Sequence, residues 1–287
     1  MPRVLPSRHL FALSWLAGAL SALAGCAASA PPVVPLAFAA EAAAPPVALL
    51  FSPPETAYLT RLRETYALDA VVADAETDLD RVLAVSAWAR SQWEHNGSNT
   101  PSASDPLTIL EEAAEGQRFR CVEYAEVVAG ALSAVGVPAR VLGIMMSDVE
   151  TRSWGAGHVV AEAYLADRDR WVLVDGQFDV VPFLDGDPLS ALELQRALVE
   201  RPEAVRFESV SGEAADPAAY RRFVGPYLYY FKVSLDQRYD APPEVGALVL
   251  GPLGAPEPTR FQGRPTGQPN QTYTHHPDLF YAAPTLP

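Results

Sequence analysis

Residues 120–143 read RCVEYAEVVAGALSAVGVPARVLG, and the fold turns on them. Cys121 opens an apolar pattern in which Cys121, Ala125, Val128, Leu132 and Val135 share one helical stripe, with Glu123 and Glu126 directed elsewhere. Gly136 and Pro138 stop the pattern, so a helix is expected over 120–135. ARVLGIMM, HVVAEAYL and RWVLVDG then read as three strands, the last two joined by the turn ADRD at 166–169. A cysteine-headed helix followed by a meander of strands implies an α+β fold, with the helix packed on an antiparallel sheet.

The turn makes a sharper statement. With 166–169 as a four-residue turn, Leu165 opposes Arg170 and Val160 faces Asp175, so residues 158, 160 and 175 share a face. His158 then lies diagonally across from Asp175, roughly 7–8 Å away at the backbone, within reach of an imidazole and a carboxylate. A turn one residue longer or shorter would send Asp175 to the other face.

These residue types suit thiol chemistry. A thiol attacks as thiolate, which a helix N-terminus and nearby cations such as Arg118 and Arg120 favour. A histidine takes and returns the proton, and a carboxylate on its other nitrogen fixes tautomer and orientation. Cys121, His158 and Asp175 supply one of each. Singly, each has a plainer reading: a core thiol, a histidine opening a strand, an aspartate before a turn glycine.

A cysteine at a helix head, then SAVGVPARVLG, a histidine opening a strand and RWVLVDGQFD together resemble the transglutaminase-like superfamily over about residues 80–180. The resemblance implies a papain-like core with Cys121 as nucleophile, His158 as general base and acid, and Asp175 as orienting carboxylate. It departs from the family pattern at Val122 and Val159-Val160, where tryptophans are common, and at Gly176, where proline is common. The oxyanion hole needs a donor besides the Cys121 backbone N–H, and Gln117, Gln92 and Trp93 are the candidates.

The rest of the chain sets the context. Arg3 and Arg8 precede the uncharged run LFALSWLAGALSALAG and end in Leu23-Ala24-Gly25-Cys26, which resembles a lipoprotein lipobox. That implies a signal peptide over 1–25, an acylated Cys26 and a lipid anchor in the cell envelope, on the outer membrane facing the periplasm. An Ala/Pro-rich tether is expected over 26–54, the catalytic domain over 55–240, and an irregular Pro-rich extension over 241–287. The 287 residues carry 21 Lys+Arg against 35 Asp+Glu, a formal charge of −14. Losing Arg3 and Arg8 with the signal makes the mature chain more acidic still, which argues against nucleic acid as a partner.

With Cys26 acylated, Cys121 has no disulfide partner. His275, His276 and Asp278 lack metal-ligand spacing, and no dinucleotide or phosphate-loop motif is present, so neither metal nor cofactor is expected. The expected function is acyl transfer on peptide or protein amides, cell-wall peptides among them, by hydrolysis or amine transfer. The alternative is a non-catalytic binding or assembly lipoprotein that keeps the fold.

Overall fold

The computed structural model describes residues 33–40, 49–211, 216–239, 246–266 and 270–284. The signal segment 1–25, Cys26 and parts of the tether lie outside the described residues. The helices are α1 (Ala57–Thr65), α2 (Leu68–Val71), α3 (Asp78–Arg90), α4 (Pro106–Ala114), α5 (Cys121–Ala134), α6 (Ala191–Glu200), α7 (Pro217–Val224) and α8 (Pro277–Phe280). The strands are β1 (Leu50–Phe51), β2 (Ala139–Met145), β3 (Gly157–Leu165), β4 (Arg170–Val174), β5 (Val181–Leu184), β6 (Asp187–Pro188) and β7 (Arg206–Glu208). They continue with β8 (Tyr230–Ser234), β9 (Asp236–Gln237), β10 (Ala247–Leu250), β11 (Arg260–Phe261), β12 (Arg264–Pro265) and β13 (Gln271–Thr274).

Local chemistry explains where helices begin. Thr77 and Asp80 form a reciprocal capping box on α3, as Ser190 and Glu193 do on α6. Asp105 and Asp216 cap α4 and α7, each ahead of a proline at the first helical position. The helical stretch that begins at Ala57 is broken where Ala67 takes a left-handed backbone (φ 49°) between α1 and α2.

A six-stranded sheet in the order β13-β10-β8-β2-β3-β4 forms the centre. All its pairings are antiparallel except β10 with β13. The β3–β4 hairpin has the expected register: Leu165 pairs with Arg170 and Ala161 with Val174. Period-2 alternation then divides the sheet. Ala161, Ala163, Val172 and Val174 face α1, α3, α4 and α5, while Val160, Trp171, Leu173, Phe231 and Val233 face α6, α7 and Phe280.

Helix α5 is buried on nearly every side rather than along one stripe, because α1, α3 and α4 cover the side away from the sheet. Glu123, expected to point away from the core, is 1% exposed. It accepts from the Arg120 backbone N–H and is bound by the Arg120 guanidinium, which supplies the charge a buried carboxylate needs. α4 crosses α5 at Gly130, where a Cβ would stand 2.5 Å from Pro106 Cγ.

Two expectations about the flanks are corrected. Residues 241–287 are not only irregular chain, since β10 and β13 are strands of the central sheet. Parts of the expected tether are built into the domain. Leu49 and Phe51 are buried, β1 pairs with β9, and the backbone of Val34, Ala37 and Ala39 bonds to Gln195, Leu253 and His275. Apolar residues in an extended, proline-punctuated chain can cover a sheet face without forming a core of their own.

One ion pair lies wholly inside. Arg140 and Glu162, both 0% exposed, meet at 2.6 Å across β2 and β3. Arg140 also donates to the Phe280 carbonyl and lies over the rings of Trp171, Phe280 and Tyr281. Glu162 accepts from the Ala191 N–H at the head of α6 and from the Tyr281 hydroxyl. Each charge is thus hydrogen-bonded as well as paired, the condition under which burial is tolerated.

Candidate active site

Three elements deliver the three predicted side chains. Cys121 is the first residue of α5, His158 the second residue of β3, and Asp175 follows the last residue of β4. Asp175 is fixed by a backbone bridge to Val180. α5 packs on the face of the sheet opposite to His158, and its first residue reaches the start of β3, where Cys121 and His158 line one cleft and interact electrostatically. His158 Nε2 lies 2.8 Å from Asp175 Oδ2, which leaves Nδ1 for the sulfur.

Burial sharpens the electrostatics. His158 is 4% exposed and Asp175 0% exposed, while Cys121 remains open to a cleft. Burial alone would push the imidazole toward its neutral form. The charge and hydrogen bond of Asp175, joined by those of Cys121, reverse that and raise the His158 pKa to about 10. The imidazolium is therefore the resting form at neutral pH. Of the cations expected beside Cys121, Arg120 is shared with Glu123 and Arg118 is exposed.

Asp175 has further partners that the sequence did not announce. Tyr220, buried on α7, donates to Asp175 Oδ2 at 2.8 Å, and the Gln177 backbone N–H donates to Oδ1 at 3.1 Å. The other side of the imidazole is walled by Phe223, Phe178 and Tyr227, with ring centroids 5.0, 6.2 and 5.9 Å away. Tyr227 opens the aromatic run YLYYF at 227–231, whose later residues Tyr230 and Phe231 belong to β8. Its hydroxyl pKa is raised by burial and by the nearby Cys121 charge, which puts it within electrostatic range of the sulfur. His95 is a neighbour too: burial and the charge of His158 lower its pKa. Periodicity could not reveal these residues, because they meet the site from α7, the turn after β4 and other segments distant in sequence from Cys121.

Of the oxyanion candidates, none lines the Cys121 cleft. The Gln92 amide donates to the Trp88 carbonyl of its own helix. Gln117 is exposed and accepts from Asn99. Trp93 is buried against Tyr124, ring centroids 4.3 Å apart, and its indole N–H has no partner among the described residues. The departures from the family pattern have local causes. Val122 and Val159 line the cleft as small aliphatic walls. A Cβ at position 176 would stand 2.7 Å from Val128 Cγ2, so the close approach of α5 requires Gly176.

His275 and His276 each engage a backbone carbonyl, of Gly251 and Ala40. Among the described residues no group of three or more His, Cys, Asp or Glu could hold a metal.

Comparison with known proteins gives a family but no individual counterpart. No curated protein matches the chain. Among solved structures, a proposed cysteine protease from Cytophaga hutchinsonii is 16% identical, with a TM-score of 0.35 over 54% of this chain and 48% of its own. LapG from Legionella pneumophila is 16% identical, with a TM-score of 0.31 over 56% of this chain and 81% of its own. Red sea bream transglutaminase is 13% identical, with a TM-score of 0.32 over 59% of this chain and 31% of its own. The chain thus spans about half the length of the Cytophaga protein. Residues 66–176 match the family model of the Transglutaminase-like superfamily. The cysteine helix and the hairpin that carries His158 and Asp175 therefore belong to a transglutaminase-like domain.

Proposed function

We propose that this protein is a thiol acyl-transfer enzyme acting on peptide or protein amides. The observation that carries the reading is the convergence of Cys121, His158 and Asp175: His158 Nε2 lies 2.8 Å from Asp175 Oδ2, and Cys121 shares the cleft with the imidazole, whose pKa both partners raise. The Cys121 sulfur attacks the amide carbonyl. His158 gives its proton to the departing amine as the tetrahedral adduct collapses to a thioester. Water or a second amine then attacks the thioester while His158 takes up its proton, regenerating the thiolate–imidazolium pair. Asp175 holds the ring throughout. Water as acceptor makes the enzyme a peptidase or amidase, and an amine makes it a transglutaminase.

The test is intact-mass measurement after brief, low-dose iodoacetamide at pH 6 and pH 8.5. Cys26→Ser protein leaves Cys121 as the single thiol. Rapid single labelling at pH 6 that slows tenfold or more in His158→Ala is expected. Equal labelling of both proteins at pH 6 would overturn the enzyme reading. It would favour the second one, a binding or assembly protein that keeps the fold, for which the absence of the oxyanion candidates from the cleft speaks.

The anchor is a proposal from sequence. Leu23-Ala24-Gly25-Cys26 after an uncharged apolar run supports acylation of Cys26 and residence in the cell envelope, on the outer membrane facing the periplasm. Cell-wall peptides or envelope proteins would be the substrates at hand there. Globomycin, which blocks lipoprotein processing, should leave an unprocessed, larger precursor. No change in size would remove the anchor.

A further inference from the structure

The cleft into which Cys121 opens has a volume of about 470 Å3. It is unusual in charge. In a chain with 35 acidic and 21 basic residues, no carboxylate among the described residues lines it, whereas Lys232, Arg260, Arg264 and His158 do.

Lys232 is the sole lysine of the sequence. It sits on β8, paired with Gly143 on one side and Val249 on the other, so its cross-strand row forms part of the cleft floor. Gly143 contributes no side chain beside it and leaves the lysine uncovered. Lys232 is half-buried, and among the described residues its side chain makes no hydrogen bond or ion pair. Burial lowers its pKa with no carboxylate to oppose the shift. A partly desolvated, unpaired cation carries a cost that a bound anion would offset. Arg260 and Arg264 come from the β11–β12 hairpin on the opposite rim. Among the described residues the Arg260 guanidinium donates to the Gly263 carbonyl and forms no ion pair, while Glu150, which accepts from the Arg260 backbone N–H, is a nearby carboxylate outside the cleft lining.

The neighbouring cavity, which shares Val122, Gly143, Val159 and Lys232, does hold carboxylates: Asp105, Glu126 and Asp236, the last paired with Arg238. Lys232 therefore stands at the boundary between a cleft without described carboxylates and a cavity that holds three. A bound chain would be oriented by it, with its negative group on the Cys121 side.

We propose that the Cys121 cleft selects an acyl donor bearing a carboxylate close to the amide that is attacked, with Lys232 as the principal specificity residue and Arg260 and Arg264 completing the anion site. The proposal rests on Cys121 as nucleophile for its meaning. Its binding component can be measured separately. A carboxylate can be an acidic side chain within a peptide or a free chain terminus.

The first measurement compares alkylation of Cys121 by iodoacetate and by iodoacetamide, in Cys26→Ser protein at low ionic strength. Relative to a free thiol, the rate ratio should favour iodoacetate by tenfold or more. Lys232→Met should reduce that preference at least fivefold, and Lys232→Arg should keep it. A ratio equal to that of a free thiol, or one unchanged by Lys232→Met, overturns the anion site. The iodoacetamide rate and its dependence on His158 report the nucleophile by themselves, so the two readings fail independently.

If neither reagent labels the thiol, titration calorimetry on the same protein decides. The ligands are three capped peptides: acetyl-Ala-Glu-Ala-Ala amide, acetyl-tetra-alanine with a free terminus, and acetyl-tetra-alanine amide. At least one carboxylate peptide should bind tenfold more tightly than the neutral one, and the tighter binder names the source of the carboxylate. Equal or undetectable binding of all three overturns the proposal.

Discussion

The hydroxyl of Tyr220 and the imidazole of His158 meet on one oxygen, Oδ2 of Asp175, each at 2.8 Å. The carboxylate is thus held by a second donor from a helix on the far side of the sheet from α5. Tyr220→Phe keeps the ring and removes that donor. Because the bond is to a buried charge, about 1.5–3 kcal/mol of stability should be lost. Cys121 labelling at pH 6 should also slow several-fold as the imidazole loses orientation. Unchanged labelling beside the lost stability would make Tyr220 a packing residue alone.

The pH dependence of stability has a defined sign. Burial opposes the His158 proton, but Asp175 and Cys121 together raise its pKa to about 10, above the ordinary histidine value near 6.5. The folded state therefore holds a proton that the unfolded state gives up between these values. Stability from this site is complete below about pH 6.5 and is lost as pH rises through about 10. Thermal melting from pH 6.5 to 10.5 should show wild type losing several degrees more than His158→Phe. Parallel curves would contradict the charged pair.

Glu126 carries the opposite lesson about its own group. It lines the acidic cavity one helical turn beyond Val122, and burial, aided by the charges of Glu123 and Asp105, raises its pKa to about 7. An acid raised in the folded state favours folding at low pH, and that advantage is lost as pH rises through about 7. Glu126→Gln should therefore stabilise the protein at pH 8.5, on the order of 1–3 kcal/mol, and leave it nearly unchanged at pH 4. Urea denaturation at the two pH values reads the difference.

Gly176 offers a structural test free of charge effects. A Cβ there would meet Val128 Cγ2 at 2.7 Å, so Gly176→Ala should cost about 1–3 kcal/mol by overpacking. Val128→Ala creates space for the added methyl. The double variant should be more stable than the sum of the single changes predicts, by at least 0.5 kcal/mol. Simple additivity would show that the strain lies elsewhere.

These residues also show what the sequence made legible. The β3–β4 register followed from one four-residue turn and the strict period of a strand, which is why the His158–Asp175 pairing could be worked out on paper. The cysteine helix followed from spacing and from its Gly-Val-Pro stop. Tyr220 did not, because its partner is 45 residues away and nothing local marks a hydroxyl that crosses to another element. β10 and β13 were hidden by the prolines around them: composition describes a segment's average, whereas four consecutive residues suffice for a strand. Glu123 was misjudged because helical spacing assigns a side chain to a face, not to the guanidinium that makes burial tolerable there.

The Arg140 network couples distant parts of the chain in time as well as in space. Its cation is completed by the carbonyl and ring of Phe280, 140 residues downstream, and Trp171 donates to the Ala282 carbonyl. During synthesis, the centre of the sheet must wait for the ribosome to deliver these downstream pieces. Until then Arg140 and Glu162 lack part of their enclosure, and the face that Phe280 covers stays wet. A nascent chain would remain loosely closed until synthesis has passed residue 282, and so in a form that can still be threaded through a narrow pore.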